Sequence, residues 1–344
     1  MKRPSFQLKP PANDSMLTEP SPHPAQTAET AIETEMATTA TTLGTDPGRQ
    51  PKSRPSIQWR IFRTASFLVF VYLCVCAALV YWEPRLVFPG AYFDAIPLMD
   101  PNRFTPDEPI VGTVSPFEYT TTDGSALFGR IYVRDDAERV VLFLHGNGIR
   151  AIEMDGWTRR LSDVLDATVL TAEYRGFQAS AFTPTQESCI EDAVSAMDAL
   201  SEATGTPVEK ILVYGRSLGG GIAAGLIDEL VKRKTPPKSI VLDRTFDSVA
   251  EAGSDMFWFL PVKVLMHNHF DSVAHLNQYQ GNVVQIHGAP DRIVPMKNGR
   301  ALYESLTTPT KVWIEVPDMR HNDRISLESL RRIRSELERL ETSS

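Results

Sequence analysis

The feature that most constrains the fold is a serine held between glycines on a tight turn. An apolar, β-branched run at 211–214 leads directly into the motif Gly-Arg-Ser-Leu-Gly at 215–219, where a helical pattern begins. A serine on such a strand-to-helix turn needs small neighbours, and its hydroxyl projects free of the sheet. The start of the helix adds spare N–H groups and a partial positive charge. In this context, the motif predicts a nucleophile at Ser217.

Around this turn, short β-branched runs alternate with segments whose apolar spacing is near 3.6. Candidate strands lie at 117–121, 127–133, 140–144, 168–172, 211–214, 240–242, 283–287 and 312–316. Candidate helices lie at 157–165, 187–204, 218–234, 297–306 and 327–340. This alternation predicts an α/β fold with a mostly parallel eight-stranded sheet and helices on both faces. The first two strands are expected to form an antiparallel hairpin around Asp123 and Gly124.

The N-terminal third has a different character. Residues 1–57 are rich in Pro, Thr, Ser, Ala and Glu, with few large apolar residues, which predicts a disordered tail. The run 64–82 carries no charge and is long enough to cross a bilayer, so we predict a transmembrane anchor at 58–83. A signal peptide or a buried core helix are the alternatives; a signal peptide has a shorter apolar stretch near the N-terminus.

The flanks of the apolar run predict its orientation. Five basic residues lie between 49 and 63, whereas the other flank has Glu83 and Arg85 and then mostly acidic residues. By the positive-inside rule the tail is cytoplasmic and the domain at 111–344 is extracytoplasmic, periplasmic or lumenal or extracellular. Residues 84–110 are then a juxtamembrane linker.

The overall charge limits the partners. The formal net charge is -8 with 43 acidic and 35 basic residues, which argues against a nucleic acid, because binding phosphates needs a basic face. Three cysteines, two of them in the apolar run, do not form a disulfide framework. No metal or cofactor is implied.

A second glycine-rich turn follows the strand at 140–144. His145, Gly146, Asn147 and Gly148 stand where an oxyanion loop belongs, so the backbone N–H groups of Asn147 and Leu218 are predicted to form an oxyanion hole. The alternative is that the glycines simply make a tight turn and that His145 is structural, and the two can hold together.

A serine nucleophile needs a base, and the base needs an orienting acid. His321 follows the last strand, in a loop where the base is expected, whereas His287 lies within a strand and should point into the packing. Asp291 follows the preceding strand and would reach the second nitrogen of His321. The resulting order of Ser217, Asp291 and His321 is the order typical of this strand-turn-helix arrangement.

Two other carboxylates compete for the role of the acid. Asp243 stands at the end of the strand at 240–242 and is the real rival, and Asp323 lies beside the base but is expected to cap a helix.

With these residues in view, residues 88–340 resemble the α/β-hydrolase superfamily. Within it they resemble single-pass, membrane-anchored α/β-hydrolase-domain proteins, which include protein depalmitoylases and lysophospholipid hydrolases. The marks are 144–148, 173–177, 215–220, 288–295 and 321–323, and the stretch 85–89 looks like the juxtamembrane segment of such enzymes. Gln178 and Gly148 depart from the usual pattern, in which a glycine and an alanine stand there.

The resemblance implies that His145, Gly146 and Tyr174 help to shape a substrate site, although the loop at 174–176 is equally well explained as a turn that merely packs. The segment 246–279 interrupts the α/β alternation with large apolar residues and predicts a small cap, which could wall an acyl site, touch the membrane surface or simply cover the core.

The expectation from sequence is therefore a serine hydrolase that cleaves an ester or thioester, of a lipid or a small molecule, through an acyl-enzyme. A serine peptidase of the prolyl oligopeptidase or aminopeptidase type is one alternative, because 288–295 also resembles those enzymes. A non-catalytic, membrane-tethered binding module is another.

Overall fold

The structure is a computed structural model that describes residues 55–93, 113–178 and 181–343. Most of the predicted tail and linker lie outside the described residues. From Ile61 onwards, the described residues form one compact unit. The first helix of the chain begins slightly earlier, at Ile57.

The predicted apolar helix is present as α1, Ile57–Val87, with 31 residues. At 1.5 Å per residue it is about 46 Å long, enough to cross the roughly 30 Å hydrocarbon core of a bilayer. Its most apolar window is only 6% buried by the rest of the chain, and among the described residues it is the one helix long and apolar enough to span a membrane. It therefore fits a single-pass membrane anchor.

All eight predicted strands are present and form one sheet. They are β1 (Ser115–Thr120), β2 (Ala126–Tyr132), β3 (Arg139–Leu144), β4 (Ala167–Thr171), β5 (Ile211–Arg216), β6 (Ser239–Asp243), β7 (Asn282–Gly288) and β8 (Lys311–Val316). The order across the sheet is β1-β2-β4-β3-β5-β6-β7-β8. The β1–β2 hairpin is antiparallel, as predicted, and β2 pairs antiparallel with β4, while the other pairs are parallel. The carboxyl ends of six parallel strands thus share one edge.

Helices cover both faces of the sheet, as predicted. The five predicted helices are α2 (Asp155–Leu165), α3 (Gln186–Thr204), α4 (Leu218–Lys232), α8 (Met296–Ser305) and α9 (Leu327–Ser343). Alternate side chains of β3 enter different cores: Leu142 packs in the cluster that contains α3 and α4, and Val141 in the cluster that contains α2 and α9. Because both faces are buried, the central strands are almost uniformly apolar.

The predicted cap consists of three short helices between β6 and β7. They are α5 (Val249–Met256), α6 (Val262–Leu265) and α7 (Ser272–Leu276). Side-chain caps begin two of them: Ser248 accepts from the N–H of Glu251, and Asp271 from that of Ala274.

The described start of the predicted linker packs against the rest of the chain. Phe88 is fully buried and packs edge-on against Phe177 and Phe270. Gly90 donates its N–H to the carbonyl oxygen of Asn147 at 2.8 Å. The chain therefore joins the hydrophobic core within a few residues of the end of α1, because an apolar side chain this close to the sheet gains more from burial than from exposure.

Candidate active site

The serine lies on a strained turn between β5 and α4. Ser217 has φ 54° and ψ −121°, a conformation rarely adopted by residues other than glycine. Neighbouring backbone holds it there: its N–H donates to the carbonyl of Asp243 at 2.9 Å, and its own carbonyl accepts from the hydroxyl of Thr245 at 2.9 Å. The strain is thus maintained by β6 and the loop that follows it.

The glycines of the motif are required by close approaches. A Cβ on Gly219 would lie 2.1 Å from the carbonyl oxygen of Leu144, and a Cβ on Gly215 would lie 2.5 Å from the carbonyl oxygen of Gly219. Both distances are far inside contact range. Without side chains at these positions, Gly219 can pack against β3 and Gly215 against the start of α4.

The structure brings Ser217, His321 and Asp291 together in a hydrogen-bonded chain. Ser217 Oγ lies 2.9 Å from His321 Nε2, and His321 Nδ1 lies 2.8 Å from Asp291 Oδ2. The three side chains come from the ends of β5, β8 and β7, at the shared carboxyl edge of the sheet. All three are nearly buried, with Ser217 7% and His321 6% exposed.

The local electrostatics suit a neutral base beside an ionised acid. Burial lowers the pKa of His321 below its ordinary value, and the hydrogen bond and charge of Asp291 only partly oppose this. Burial opposes ionisation of Asp291, but its contacts with His321 and with the N–H of Val294 outweigh that effect and lower its pKa. At neutral pH, His321 is therefore uncharged and Asp291 is a carboxylate.

Asp291 is itself held in place. Its Oδ1 accepts the N–H groups of Ile293 and Val294, both at 2.9 Å, which leaves Oδ2 directed at His321. His287, the histidine expected to point into the packing, is fully buried, stacks on Trp313 and makes a hydrogen bond to the carbonyl of Val294 at 2.9 Å.

The rival carboxylate Asp243 has a different set of contacts. It pairs with the guanidinium of Arg244 at 2.7 Å and accepts from the hydroxyl of Tyr214 at 3.1 Å. Arg244 in turn donates to the carbonyl of His321 at 2.9 Å, and Arg216 donates to the same carbonyl at 3.0 Å. Asp243 therefore acts as the counter-ion of an arginine that positions the histidine loop.

The charges of this buried cluster are interdependent. Burial opposes the ionisation of Asp243, but Arg244 outweighs it and lowers the pKa of the carboxyl. Burial, together with repulsion from Arg244, lowers the pKa of Arg216 to about 10.

Asp323 does not cap a helix, contrary to the expectation from sequence. It accepts the N–H of Arg320 at 2.8 Å and so closes the turn that carries the histidine.

The glycine-rich loop after β3 lies directly against the serine. A Cβ on Gly146 would lie 3.6 Å from the Cβ of Ser217. The carbonyl of Gly146 lies 2.8 Å from His145 Nδ1, so the N–H of Asn147, at the other side of that peptide, points away from the imidazole. Leu218 is the first residue of α4, where an N–H has no partner within the helix. Neither contact shows where the two N–H groups point relative to a substrate, so their assignment as oxyanion donors stays a prediction.

His145 and Tyr174 lie beneath this loop. Both are fully buried; His145 Nε2 lies 3.1 Å from Glu173, and the Tyr174 hydroxyl lies 3.3 Å from the His145 carbonyl. In this arrangement, they support the loop from behind, and the expectation that they contact a substrate stays a prediction.

Two supporting groups were missed by the sequence reasoning. Glu173 accepts the N–H of Ala151 at 2.9 Å as well as bonding His145, and Gly90 bonds the loop carbonyl of Asn147. For Glu173, the motif at 173–177 was a signal in the sequence that could have identified this role. Nothing in the sequence pairs Gly90 with a loop more than fifty residues away.

The other histidines of the described region are occupied elsewhere. His267 Nδ1 lies 2.9 Å from Glu83 of α1, and His275 Nδ1 lies 3.1 Å from Asp228 of α4. Among the described residues no group of three or more His, Cys, Asp or Glu side chains could hold a metal ion.

Comparison with curated proteins finds related sequences, while no family profile matches the chain. An uncharacterized protein of Mycobacterium tuberculosis is 32% identical over 178 residues, which cover 50% of this chain and 61% of that protein. A putative alpha/beta hydrolase of Acanthamoeba polyphaga mimivirus is 25% identical over 57% of this chain and 72% of its own. A lysophosphatidylserine lipase of Bos taurus is 26% identical over 50% of this chain and 46% of its own. The chain thus spans about three fifths of the length of the first curated relatives that it matches.

Solved structures share the fold. An esterase of Pyrobaculum calidifontis superposes with a TM-score of 0.55 at 19% identity, covering 77% of this chain and 92% of the esterase. An esterase of Pyrococcus furiosus superposes with a TM-score of 0.52 at 18% identity, covering 68% of this chain and 97% of the esterase. The chain therefore has the α/β-hydrolase fold of these esterases, and it is similar in sequence to a protein described as a putative alpha/beta hydrolase.

Proposed function

We propose that this protein is a membrane-anchored serine hydrolase that cleaves a carboxylic ester or thioester through an acyl-enzyme on Ser217. The observation that carries the proposal is the continuous hydrogen-bonded chain from Ser217 through His321 to Asp291, built on a strained turn. The strained backbone of Ser217 supports this proposal, because strain of this kind clusters at active sites and this turn presents the serine hydroxyl to a substrate.

The geometry supports a two-step acyl transfer. Ser217 Oγ attacks the substrate carbonyl carbon while His321 Nε2 takes its proton, and a tetrahedral oxyanion forms. As the bond to the leaving group breaks, His321 returns that proton to the leaving oxygen or sulfur, which leaves an ester on Ser217. Water, deprotonated by His321, then attacks the carbonyl carbon of this ester; as the bond to Ser217 Oγ breaks, His321 passes the proton to Oγ and the acid is released. Asp291 fixes the tautomer of His321 and stabilises the imidazolium in both steps.

The oxyanion is stabilised by the N–H groups of Asn147 and Leu218 in this proposal. Donors aimed at the developing charge contribute more to the rate than any other single feature of acyl-transfer sites. The start of α4 adds its positive dipole end. The bond from Gly90 to the Asn147 carbonyl, at 2.8 Å, holds the loop that presents one of these donors.

An acyl lipid is the proposed substrate class. Three observations support it: the spanning helix α1, the exposed apolar residues of the cap, and a relative described as a lysophosphatidylserine lipase. A hydrolase tethered to a bilayer meets acyl lipids at high local concentration. We further propose that the domain lies on the extracytoplasmic side, since the basic residues, including Arg60 and Arg63, precede the apolar run.

The test uses the full-length protein in detergent with a fluorophosphonate probe and p-nitrophenyl esters of increasing acyl length. Ser217→Ala is compared with Ser239→Ala, because Ser239 is similarly buried, at 4% exposed, and stands at the opposite end of its strand from the site. We expect labelling and turnover to vanish in Ser217→Ala and to persist in Ser239→Ala.

The outcomes separate the competing functions. Turnover that increases with acyl length supports the lipid esterase, whereas cleavage of aminoacyl amides in preference to esters would identify a peptidase. If the wild type neither labels nor turns over, then the hydrolase proposal is wrong and a tethered binding module replaces it. Protease protection of a C-terminal epitope in sealed vesicles tests the orientation separately.

A further inference from the structure

The cap presents an apolar surface that the domain itself does not cover. We call residues 256–264 the cap tip; its exposed side chains are Met256, Phe257, Trp258, Phe259 and Val264. Trp258 and Val264 are each 83% exposed. The tip contains one charged residue, Lys263, and that residue is paired with Glu251. An apolar surface of this kind marks a site of contact with a partner or a membrane.

Two contacts fix this part of the cap alongside α1. The hydroxyl of Tyr72 donates to the carbonyl of Phe259 at 3.2 Å. Glu83, eleven residues further along α1, accepts the backbone N–H groups of His267 at 2.8 Å and Asn268 at 2.7 Å. The chain from Phe259 to Asn268 therefore runs beside the helix for about 16 Å, at 1.5 Å per residue.

The position of these contacts along α1 sets the depth of the tip. Tyr81 and Trp82, both exposed, end the uncharged run and are the residue types that mark a membrane interface. Tyr72 lies about 15 Å from them towards the N-terminus, which is roughly half of the 30 Å hydrocarbon core. The tip thus lies at the level of the lipid chains on the side of the bilayer that faces the domain.

Hydrogen bonds within the tip and to α1 satisfy part of its backbone. Several of its backbone N–H groups are paired internally: Phe257 donates to Gly253, Leu260 to Phe257 and Val264 to Pro261, each at 2.9 Å. The exposed carbonyl of Phe259 is satisfied by Tyr72 of the spanning helix. Unpaired backbone groups cost several kcal/mol each in hydrocarbon, so each of these pairings lowers the cost of insertion.

We infer that the cap tip is inserted into the hydrocarbon of the adjacent leaflet and that its partner is the lipid bilayer. The tip and α1 then form one continuous lipid-facing surface, because Tyr72 joins them. This inference does not depend on the chemistry at Ser217, since it rests on contacts of the cap with the helix alone.

The test uses the full-length protein reconstituted into phosphatidylcholine vesicles, as wild type and as Trp258→Phe. The difference between their emission spectra reports Trp258. We expect this component to be blue-shifted, to lose most of its intensity when the lipids carry bromine on their acyl chains, and to be shielded from acrylamide in the water. An unchanged thermal unfolding midpoint shows that Trp258→Phe folds normally.

A matched control places a tryptophan on an exposed apolar position away from the cap. Val133, 62% exposed, follows β2 at the opposite edge of the sheet. In the Trp258→Phe background, Val133→Trp is expected to be quenched by acrylamide and not by brominated lipid. The inference is overturned if Trp258 behaves like this control. It is equally overturned if neither quencher reaches Trp258, because a second copy or another protein then covers the tip.

Discussion

Replacement of Asp291 by asparagine is the sharpest perturbation of the proposed site. Oδ1 of Asp291 accepts two backbone N–H groups at 2.9 Å, and Oδ2 faces His321 Nδ1 at 2.8 Å. An asparagine keeps its carbonyl oxygen on the two N–H groups, so its NH₂ group must face the imidazole. The NH₂ donates to Nδ1 and moves the histidine proton to Nε2, opposite Ser217. In that tautomer His321 is no longer able to accept the serine proton.

The size of the effect follows from this geometry. In serine hydrolases whose base is locked in the wrong tautomer, turnover falls about 10⁴-fold. At about 1.36 kcal/mol for each factor of ten, this loss raises the barrier by about 5.5 kcal/mol. The folded state changes little, because both N–H groups and the volume of the side chain are retained. The expected result of Asp291→Asn is therefore a large loss of kcat with nearly unchanged stability.

The same substitution at Asp243 provides the matched control. Asp243 is also buried, at the end of the neighbouring strand, but its partner is Arg244 rather than His321. Asp243→Asn leaves that guanidinium without its counter-ion, which costs about 3–5 kcal/mol of stability. We expect it to lower the thermal unfolding midpoint strongly and to reduce kcat, per active site titrated with fluorophosphonate, far less than Asp291→Asn does.

Ester hydrolysis, active-site titration and thermal unfolding of the two variants decide the assignment. One outcome would refute the role given to Asp291: Asp291→Asn keeps more than about a tenth of the wild-type kcat, while kcat per titrated active site falls about 10⁴-fold in Asp243→Asn. In that case Asp243 is the acid.

Three further outcomes are expected. Because burial lowers the pKa of His321, kcat/KM for an ester should rise with pH through a midpoint below 6.5 and be flat at neutral pH; a midpoint above 6.5 in a pH-rate profile contradicts this. Gly146→Ala would place a Cβ at an ordinary contact distance of 3.6 Å, so this variant should fold but hydrolyse esters more slowly. Gly219→Ala would place a Cβ 2.1 Å from backbone and should fail to fold. Circular dichroism and kinetics test both variants, and a folded Gly219→Ala beside an unfolded Gly146→Ala would contradict this expectation. Arg244→Met removes the donor to the carbonyl of His321 and should lower kcat with little change in KM. Steady-state kinetics measure both constants, and a change mainly in KM would argue against a positioning role.

Local patterns made most of the fold predictable. The eight strands are short, and the structure places both ends of each of them within two residues of the predicted bounds. The span of α1 was legible because 64–82 has no charge, although the helix extends beyond it at both ends. Apolar periodicity is a local property, so a single sequence carries it.

The candidate site was predictable for a related reason. In a parallel sheet the loops after successive strands meet at one edge, so Ser217, Asp291 and His321 could be chosen by their positions after β5, β7 and β8. Their hydrogen-bonded arrangement then follows from the topology rather than from any nearness in sequence.

The buried polar supports could not be predicted. Arg175 pairs with Asp192 and Glu191 of α3 and with Asp123 in the β1–β2 turn, and its carboxylate Asp192 still has its pKa raised to about 6 because burial outweighs the pairing. Arg244 and Arg216 converge on one carbonyl of the histidine loop. Such pairings join residues on different elements, and each charged residue alone is indistinguishable from one on a solvated surface.

The bond from Gly90 to Asn147 has a practical consequence for anyone who wishes to work with the domain in water. A soluble form that starts beyond residue 93 discards Phe88 from the core and removes the donor that steadies the loop beside the nucleophile. A cut on the other side, just before Pro84, keeps both. A soluble form of the domain should therefore include the last residues of α1, so the boundary between membrane anchor and domain lies inside this helix.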